Sequence, residues 1–292
     1  MTFDLNGSNA SKALDNTDNI FTHSLVDHPL LQMDQIRKLV KRTPKDRIAF
    51  SAGEKPESAD IGTSHIYHKS EHSLEYAIDN MENVDAYLFI DSPEKDPQFN
   101  QLFQDIKVDL DRFCQKNGYR LWEARLFLFV SSPGAITPYH LDHQHTLLAQ
   151  IKGTKTLNLW PAMNYDLTPP SELEVFCSQI TRKFQMREEL EKLRKPYEMV
   201  PGQGVYIPFL APHSVKNNDE VSVSLSMIFN TFESQKMWNS FRINHLLRNR
   251  LHLSPTLPGT SIWLDEVKHQ SVRTLERLAR MGWLNVFPEK LE

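Results

Sequence analysis

His140, Asp142 and His213 are the residues in this chain whose types and spacing most clearly could do chemistry. His140 and Asp142 stand two apart in Thr137-Pro138-Tyr139-His140-Leu141-Asp142, and His213 closes the later run Tyr206-Ile207-Pro208-Phe209-Leu210-Ala211-Pro212-His213. On a strand, residues i and i+2 project to the same side. One imidazole nitrogen and one carboxylate oxygen are therefore presented together. Two histidines and a carboxylate make a facial iron(II) site, in which three protein ligands leave three adjacent positions open. A bidentate co-substrate takes two of these and dioxygen the third. Four protein ligands would instead close the site into a structural one.

A bare His-x-Asp pair is common, so the residues around it carry weight. Lys155, in Thr154-Lys155-Thr156-Leu157-Asn158-Leu159, is in phase with Leu157 and Leu159, and its ammonium is predicted to point inward. That placement is unfavourable unless an anion meets it. A co-substrate carboxylate would serve; the plain alternative is a lysine snorkelling from the end of a barrel. Thr137 offers a hydroxyl to the same carboxylate, or is an ordinary strand threonine. Ser222, Ser224 and Ser226 alternate with apolar residues between Val221 and Met227. This reads as a solvated face, except that Ser226 is placed at a polar cavity. The rival pair His143 and His145 faces the other way on a continuing strand. Ala149 and Gln150 stand where a supporting glutamate would be needed, so both histidines are read as rim or surface residues.

The 292 residues allow one large or two modest domains. Apolar residues make up 40% and charged residues 24%, an ordinary globular balance. A net charge of −4 disfavours nucleic acid as the main partner. Cys114 and Cys177 are the two cysteines, which excludes a disulfide scaffold and a thiolate zinc module. No apolar run is long enough to span a membrane, and residues 1–19 are polar and acidic with no signal core. A cytoplasmic protein is expected.

The elements fall into four parts. Residues 1–20 read as a loose arm. Residues 21–120 form a helical and mixed part that packs on a barrel, with helices near residues 33–42 and 71–81 and a clear stripe of Phe99, Leu102, Phe103, Ile106, Leu110 and Phe113. From Leu121 the period changes to two. Strands are predicted over 122–130, 137–142, 146–151, 154–160, 204–208 and 221–229, with Lys152-Gly153 as a hairpin turn. Residues 121–233 thus read as a sandwich or barrel, mainly β with helical flanks. A segment at 161–200, charged and helix-like over Arg187–Arg194, is inserted as a possible lid. Residues 234–292 are helical again. Trp238, Phe241, Trp263, Leu275, Leu278 and Trp283 give them more apolar surface than a short cap needs, so they cover the barrel end or form a homodimer interface. Arg242, His245, Arg248, Arg250, His252, Lys268, Arg273, Arg277 and Arg280 read as a solvated helix face rather than a nucleic-acid surface.

Thr137 to Asp142, then Ala149-Gln150-Ile151-Lys152-Gly153-Thr154-Lys155, then Tyr206-Ile207-Pro208 up to His213, resemble the JmjC/cupin-like 2-oxoglutarate oxygenases. The similarity covers about residues 121–230, and the core motif is similar to that of the asparaginyl hydroxylase of hypoxia-inducible factor. The resemblance implies a double-stranded β-helix (jelly-roll, cupin-like) core and Fe(II) held by His140, Asp142 and His213. It implies that Thr137 and Lys155 bind the distal carboxylate of 2-oxoglutarate, and Val215 and Asn217 fit the family's tail after the last ligand. Thr146 and Ser226 fall at or near two asparagine positions of the hydroxylase and complete the expected co-substrate-binding set. Leu148 replaces a phenylalanine, and Ala211-Pro212 replace a bulky aromatic pair. The implied activity is a dioxygenase that couples oxidative decarboxylation of 2-oxoglutarate to hydroxylation of a protein side chain or small molecule. Asparaginyl hydroxylation does not carry over, and the prime substrate is left open. Two rivals stand beside this: a metal-binding cupin without oxygenase activity (an isomerase or sensor), which has no need of an inward Lys155, and a regulatory protein with an inactive barrel.

Overall fold

The period-two run that begins at Leu121 becomes the centre of a sheet covered on both faces. The computed structural model of the protein describes residues 2–5, 20–56, 67–179 and 187–281. The strands are β1 Phe3–Asp4, β2 Ile20–His23, β3 Ile48–Ser51, β4 Tyr87–Asp91, β5 Leu121–Ser131, β6 Ile136–His140, β7 His145–Lys152, β8 Lys155–Leu159, β9 Lys195–Met199, β10 Gln203–Ile207, β11 His213–Asn217 and β12 Ser222–Thr231. The α-helices are α1 Met33–Arg42, α2 Leu74–Asp79, α3 Pro97–Lys116, α4 Pro170–Gln179, α5 Phe232–Leu251 and α6 Ile262–Arg280. One sheet runs β1-β2-β10-β7-β12-β5-β4-β3 and the other β6-β11-β8-β9, with every pairing antiparallel. This is the mainly β, jelly-roll architecture expected, with helices at its flanks.

Side-chain alternation decides which face meets which layer. On β5, Leu126, Leu128 and Val130 join the core under α3, with Leu102, Ile106, Leu110 and Phe113 of that helix. Burying each such side chain stabilises by roughly 1.5–3 kcal/mol. The opposite phase, Phe127 and Phe129, therefore turns toward the second sheet. On β12 the same rule sends Val223, Leu225, Met227 and Phe229 into the helical core. Ser222, Ser224 and Ser226 point into the barrel. All three serines are buried, which corrects the solvated reading of Ser222 and Ser224, while Ser226 lines the cavity as expected. Gln150 on β7 donates to Ser222 Oγ at 3.0 Å and accepts from Ser224 Oγ at 2.7 Å. The two sheets meet through Leu148, Val205 and Ile207 on one side and Leu157, Leu159, Tyr197, Met199 and Val215 on the other.

Two boundaries differ from expectation. The segment read as a loose arm contains β1: Phe3 is fully buried and pairs with His23. The Asp109 carboxylate on α3 accepts from the N–H groups of Thr2 at 2.6 Å and Phe3 at 3.0 Å. Residues 6–19 lie outside the described residues. The 161–200 insertion also ends early, because Lys195–Met199 is β9, the outer strand paired to β8. Within it lie α4 and a short 3-10 turn at Glu188–Leu193. Leu173, Phe176 and Cys177 of α4 pack with Leu141, Phe209, Leu210 and the Phe241 ring of α5. Phe241 thus docks α5 on this corner of the barrel, while Trp263 on α6 is 69% exposed. Trp283 lies outside the described residues. Arg242 pairs with Glu276 at 2.6 Å and Arg248 with Glu174 at 3.0 Å, so two of the basic residues serve packing. No helix among the described residues is long and apolar enough to cross a membrane.

Candidate active site

His140 and His213 are cross-strand partners. β6 ends at His140 and β11 begins at His213, and the antiparallel register sets the two opposite one another. Their ring centroids are 4.1 Å apart. Asp142 lies two residues beyond the end of β6, not on the strand as predicted. Its backbone carbonyl accepts from the Leu210 N–H at 3.1 Å, which ties this corner to the loop leading into β11. The carboxylate stands 3.9 Å from His140 Nε2 and 3.7 Å from His213 Nε2. These separations are too long for hydrogen bonds.

The ring orientations are set by the backbone. His140 Nδ1 is 2.7 Å from the Pro138 carbonyl, and His213 Nδ1 is 3.0 Å from the Ala211 carbonyl. A carbonyl only accepts, so each Nδ1 carries the proton and each Nε2 carries the lone pair. Both Nε2 atoms and the carboxylate lie within 4.8 Å of one another. Two neutral imidazole nitrogens oriented by carbonyls, plus one carboxylate oxygen, suit a divalent transition metal. The residues therefore fit the implied iron.

His145 shows the contrast. It is buried, stacks on Phe229, and its Nδ1 accepts from the Tyr206 hydroxyl at 2.8 Å and the Phe209 N–H at 3.2 Å. Burial holds its pKa down at about 3. It is a neutral core histidine, which corrects the rim reading. His143 is half-buried against Trp238, with ring centroids 5.0 Å apart.

All seven anticipated site residues, His140, Asp142, His213, Thr137, Lys155, Thr146 and Ser226, line one cavity of about 270 Å³. Lys155 is 5% exposed, in phase with buried Leu157 and Leu159 as predicted. Among the described residues no carboxylate pairs with it, and burial pulls its ammonium down to about 7. Thr146 is buried and its hydroxyl has no hydrogen-bond partner among the described residues. Thr137 shares a hydrogen bond with Tyr87, whose hydroxyl is pushed up to about 12 by burial, with the Asp142 charge adding to it. Asn217, the cross-strand neighbour of Lys155, donates to Ser131 Oγ at 2.8 Å and the Ser132 carbonyl at 2.9 Å, tying β11 to the end of β5.

Several lining residues were not anticipated. Phe127 and Phe129 come from β5, and Tyr87, Phe89 and Lys55 from β4 and the segment after β3, where the large sheet extends beyond the barrel. The one available signal was phase: Tyr87 and Phe89, and Phe127 and Phe129, alternate with aliphatic residues and so define a second apolar face.

The cupin-like domain family matches residues 18–235 of the chain. Among solved structures, the X-ray structure of Escherichia coli ycfD is 13% identical, with a TM-score of 0.48 over 95% of this chain and 69% of that one. The E. coli ribosomal oxygenase YcfD in complex with cobalt and 2-oxoglutarate is 12% identical, with a TM-score of 0.44 over 86% and 60%. The DMSP lyase DddQ from Ruegeria pomeroyi DSS-3 is 12% identical, with a TM-score of 0.24 over 47% and 45%. In the first of the ribosomal oxygenase structures this chain spans 58% of the length. No curated protein matches the chain.

Proposed function

The chain belongs to the cupin-like domain family, and from that premise we propose that it is an Fe(II)- and 2-oxoglutarate-dependent oxygenase that hydroxylates a protein side chain or small molecule. One observation carries the reading: His140, Asp142 and His213 converge, with both Nε2 lone pairs turned inward, in the cavity that also buries Lys155. Bound at those three donors, iron supplies the dioxygen chemistry that decarboxylates 2-oxoglutarate and oxidises a substrate C–H bond.

The rest is the work of this chain's side chains. The Pro138 and Ala211 carbonyls hold the two imidazoles in the ligating tautomer. Lys155 takes the distal carboxylate of the co-substrate, which restores the charge that burial disfavours. The hydrogen-bonded pair of Thr137 and Tyr87 offers hydroxyls to the same carboxylate. The Thr146 and Ser226 hydroxyls give the co-substrate further polar contacts on the β7 and β12 side. Phe127 and Phe129 keep the wall dry, which strengthens each of these charged contacts.

Anaerobic addition of Fe(II) and 2-oxoglutarate should produce the weak visible charge-transfer band of the chelated co-substrate. Admitting oxygen should then release succinate. Absence of the band, together with succinate no higher than in Asp142→Ala, would remove the proposal.

A further inference from the structure

A second ammonium is buried in the same cavity, and the oxygenase reading gives it no task. Lys55 follows β3, is 6% exposed, and lines the cavity beside Ser51, Tyr87 and Phe89. Its Nζ stands 4.4 Å from the centroid of the Tyr87 ring. Among the described residues no carboxylate lies within ion-pair distance of it. Asp85 attracts it from further off, but Asp85 Oδ1 already accepts from the N–H groups of Gly53 at 2.7 Å and Glu54 at 2.6 Å. A cation over a single ring recovers only part of the hydration an ammonium loses on burial. Among the described residues Lys55 therefore has no carboxylate partner, and neither has Lys155.

The two lysines occupy different parts of the fold. Lys155 opens β8 and pairs with Asn217 on β11, the strand that begins at His213. Lys55 hangs from β3, the edge strand of the extension, outside the barrel proper. Beside it is an aromatic wall: Phe89 meets Phe127 at 4.5 Å and Phe129 at 5.2 Å between ring centroids. A chelated 2-oxoglutarate has one carboxylate left to place, and Lys155 accounts for it. The other cation needs a different anion.

We propose that Lys55 determines prime-substrate specificity by pairing with a carboxylate of the substrate, whose apolar body lies against Phe89, Phe127 and Phe129. This rests on the oxygenase reading for what occupies Lys155, but not for the burial of Lys55 in the cavity against Tyr87. The carboxylate could belong to a free organic acid or to an acidic side chain of a peptide, and the choice of probes separates the two.

The test uses cobalt-loaded protein saturated with 2-oxoglutarate and measured by calorimetry. The probes are phenylacetate against phenylacetamide, hexanoate against hexanamide, and a blocked Phe-Glu-Phe tripeptide against its Phe-Gln-Phe counterpart. In at least one pair the acid should bind about tenfold or more tightly than the amide. That preference should survive in Lys55→Arg and vanish in Lys55→Met, while the 2-oxoglutarate affinity of Lys55→Met stays within about twofold of the parent. Equal or undetectable binding of all acids and amides overturns the proposal. So does an acid preference that survives Lys55→Met, or a loss of 2-oxoglutarate binding in that variant, which would assign Lys55 to the co-substrate. Thermal unfolding and cobalt binding of each variant establish that it is folded. If the parent protein does not bind 2-oxoglutarate at all, the oxygenase reading fails, and the same comparison on cobalt-loaded protein still decides the role of Lys55.

Discussion

Co-substrate affinity should fall as pH rises through neutrality, because the cation that receives 2-oxoglutarate is only marginally charged before it binds. Burial lowers the Lys155 ammonium from 10.5 to about 7. The carboxylates of 2-oxoglutarate are ionised across this range, so only the lysine titrates. If the charged lysine binds and the neutral one does not, apparent affinity follows the protonated fraction. Between about pH 6.5 and about pH 8.5 that fraction falls about 25-fold, equivalent to about 2 kcal/mol of binding free energy. Near pH 8 each binding event should take up close to one proton. Calorimetry of the cobalt-loaded protein in two buffers of different ionisation enthalpy measures both quantities under anaerobic conditions. Lys155→Met should bind 2-oxoglutarate weakly, with a flat profile and no lysine-linked proton uptake. Lys55→Met should keep the parent profile. A flat profile in the parent, or proton uptake that persists in Lys155→Met, would refute the assignment of Lys155 to the distal carboxylate.

Three further outcomes follow from buried groups. Without ligand, Lys155→Met should be the more stable protein at pH 6. Between its folded value of about 7 and its unfolded value of 10.5, Lys155 leaves the unfolded chain holding a proton that the native state lacks. The native state is therefore penalised below pH 7 by up to about 5 kcal/mol, a penalty that fades as pH rises toward 10.5; urea unfolding at several pH values reads it. His145, held at about 3 against 6.5 unfolded, works through the same sign at lower pH. Stability falls as pH drops below 6.5, by about 2 kcal/mol at about pH 5, and the fall should be shallower in His145→Phe. Gly153 turns the β7–β8 hairpin at φ +70°, and an added Cβ would collide with the Val221 carbonyl. Gly153→Ala should lower stability by more than about 2 kcal/mol in chemical denaturation and loosen Lys155, two residues on.

The ligand set was legible because metal chemistry restricts residue type more tightly than packing does. His140, a carboxylate two residues later and a distant His213 form a ligand set even with Asp142 just past the strand, and these donors do meet. The inward phase of Lys155 was legible for a similar reason, since Leu157 and Leu159 flank it on a five-residue strand. The helices were legible from apolar periodicity, and α3 also carries its punctuation: Asp96 caps it by accepting from Gln98 N–H at 3.0 Å, Pro97 starts it, and Gly118 ends it at φ +72°. The short strands β1 and β2 left no such mark. Phe3 and Phe21 find their place only when β10 offers an edge to pair with, and that information is not local.

The misread serines and the unforeseen lysine have one physical origin. Period-two alternation says that a strand has two different faces; it does not say what covers them. On β12 the alternation alone assigns Ser222 and Ser224 to water, the usual neighbour of serine. A closed barrel puts that face inside, where Gln150 satisfies Ser222 and Ser224 and Ser226 is left to the cavity. Lys55 sits in no repeating pattern, and its burial depends on β3 pairing with β4 and β4 with β5 to carry the sheet past the barrel. The metal donors come from β6, β11 and the turn after β6, while the aromatic wall joins Phe127 and Phe129 of β5 to Phe89 of the extension. Exchanging Phe89, whose ring meets Phe127 and Phe129 from β4, should alter which substrate is accepted more than it alters metal affinity, because the metal donors lie on β6, β11 and the turn after β6.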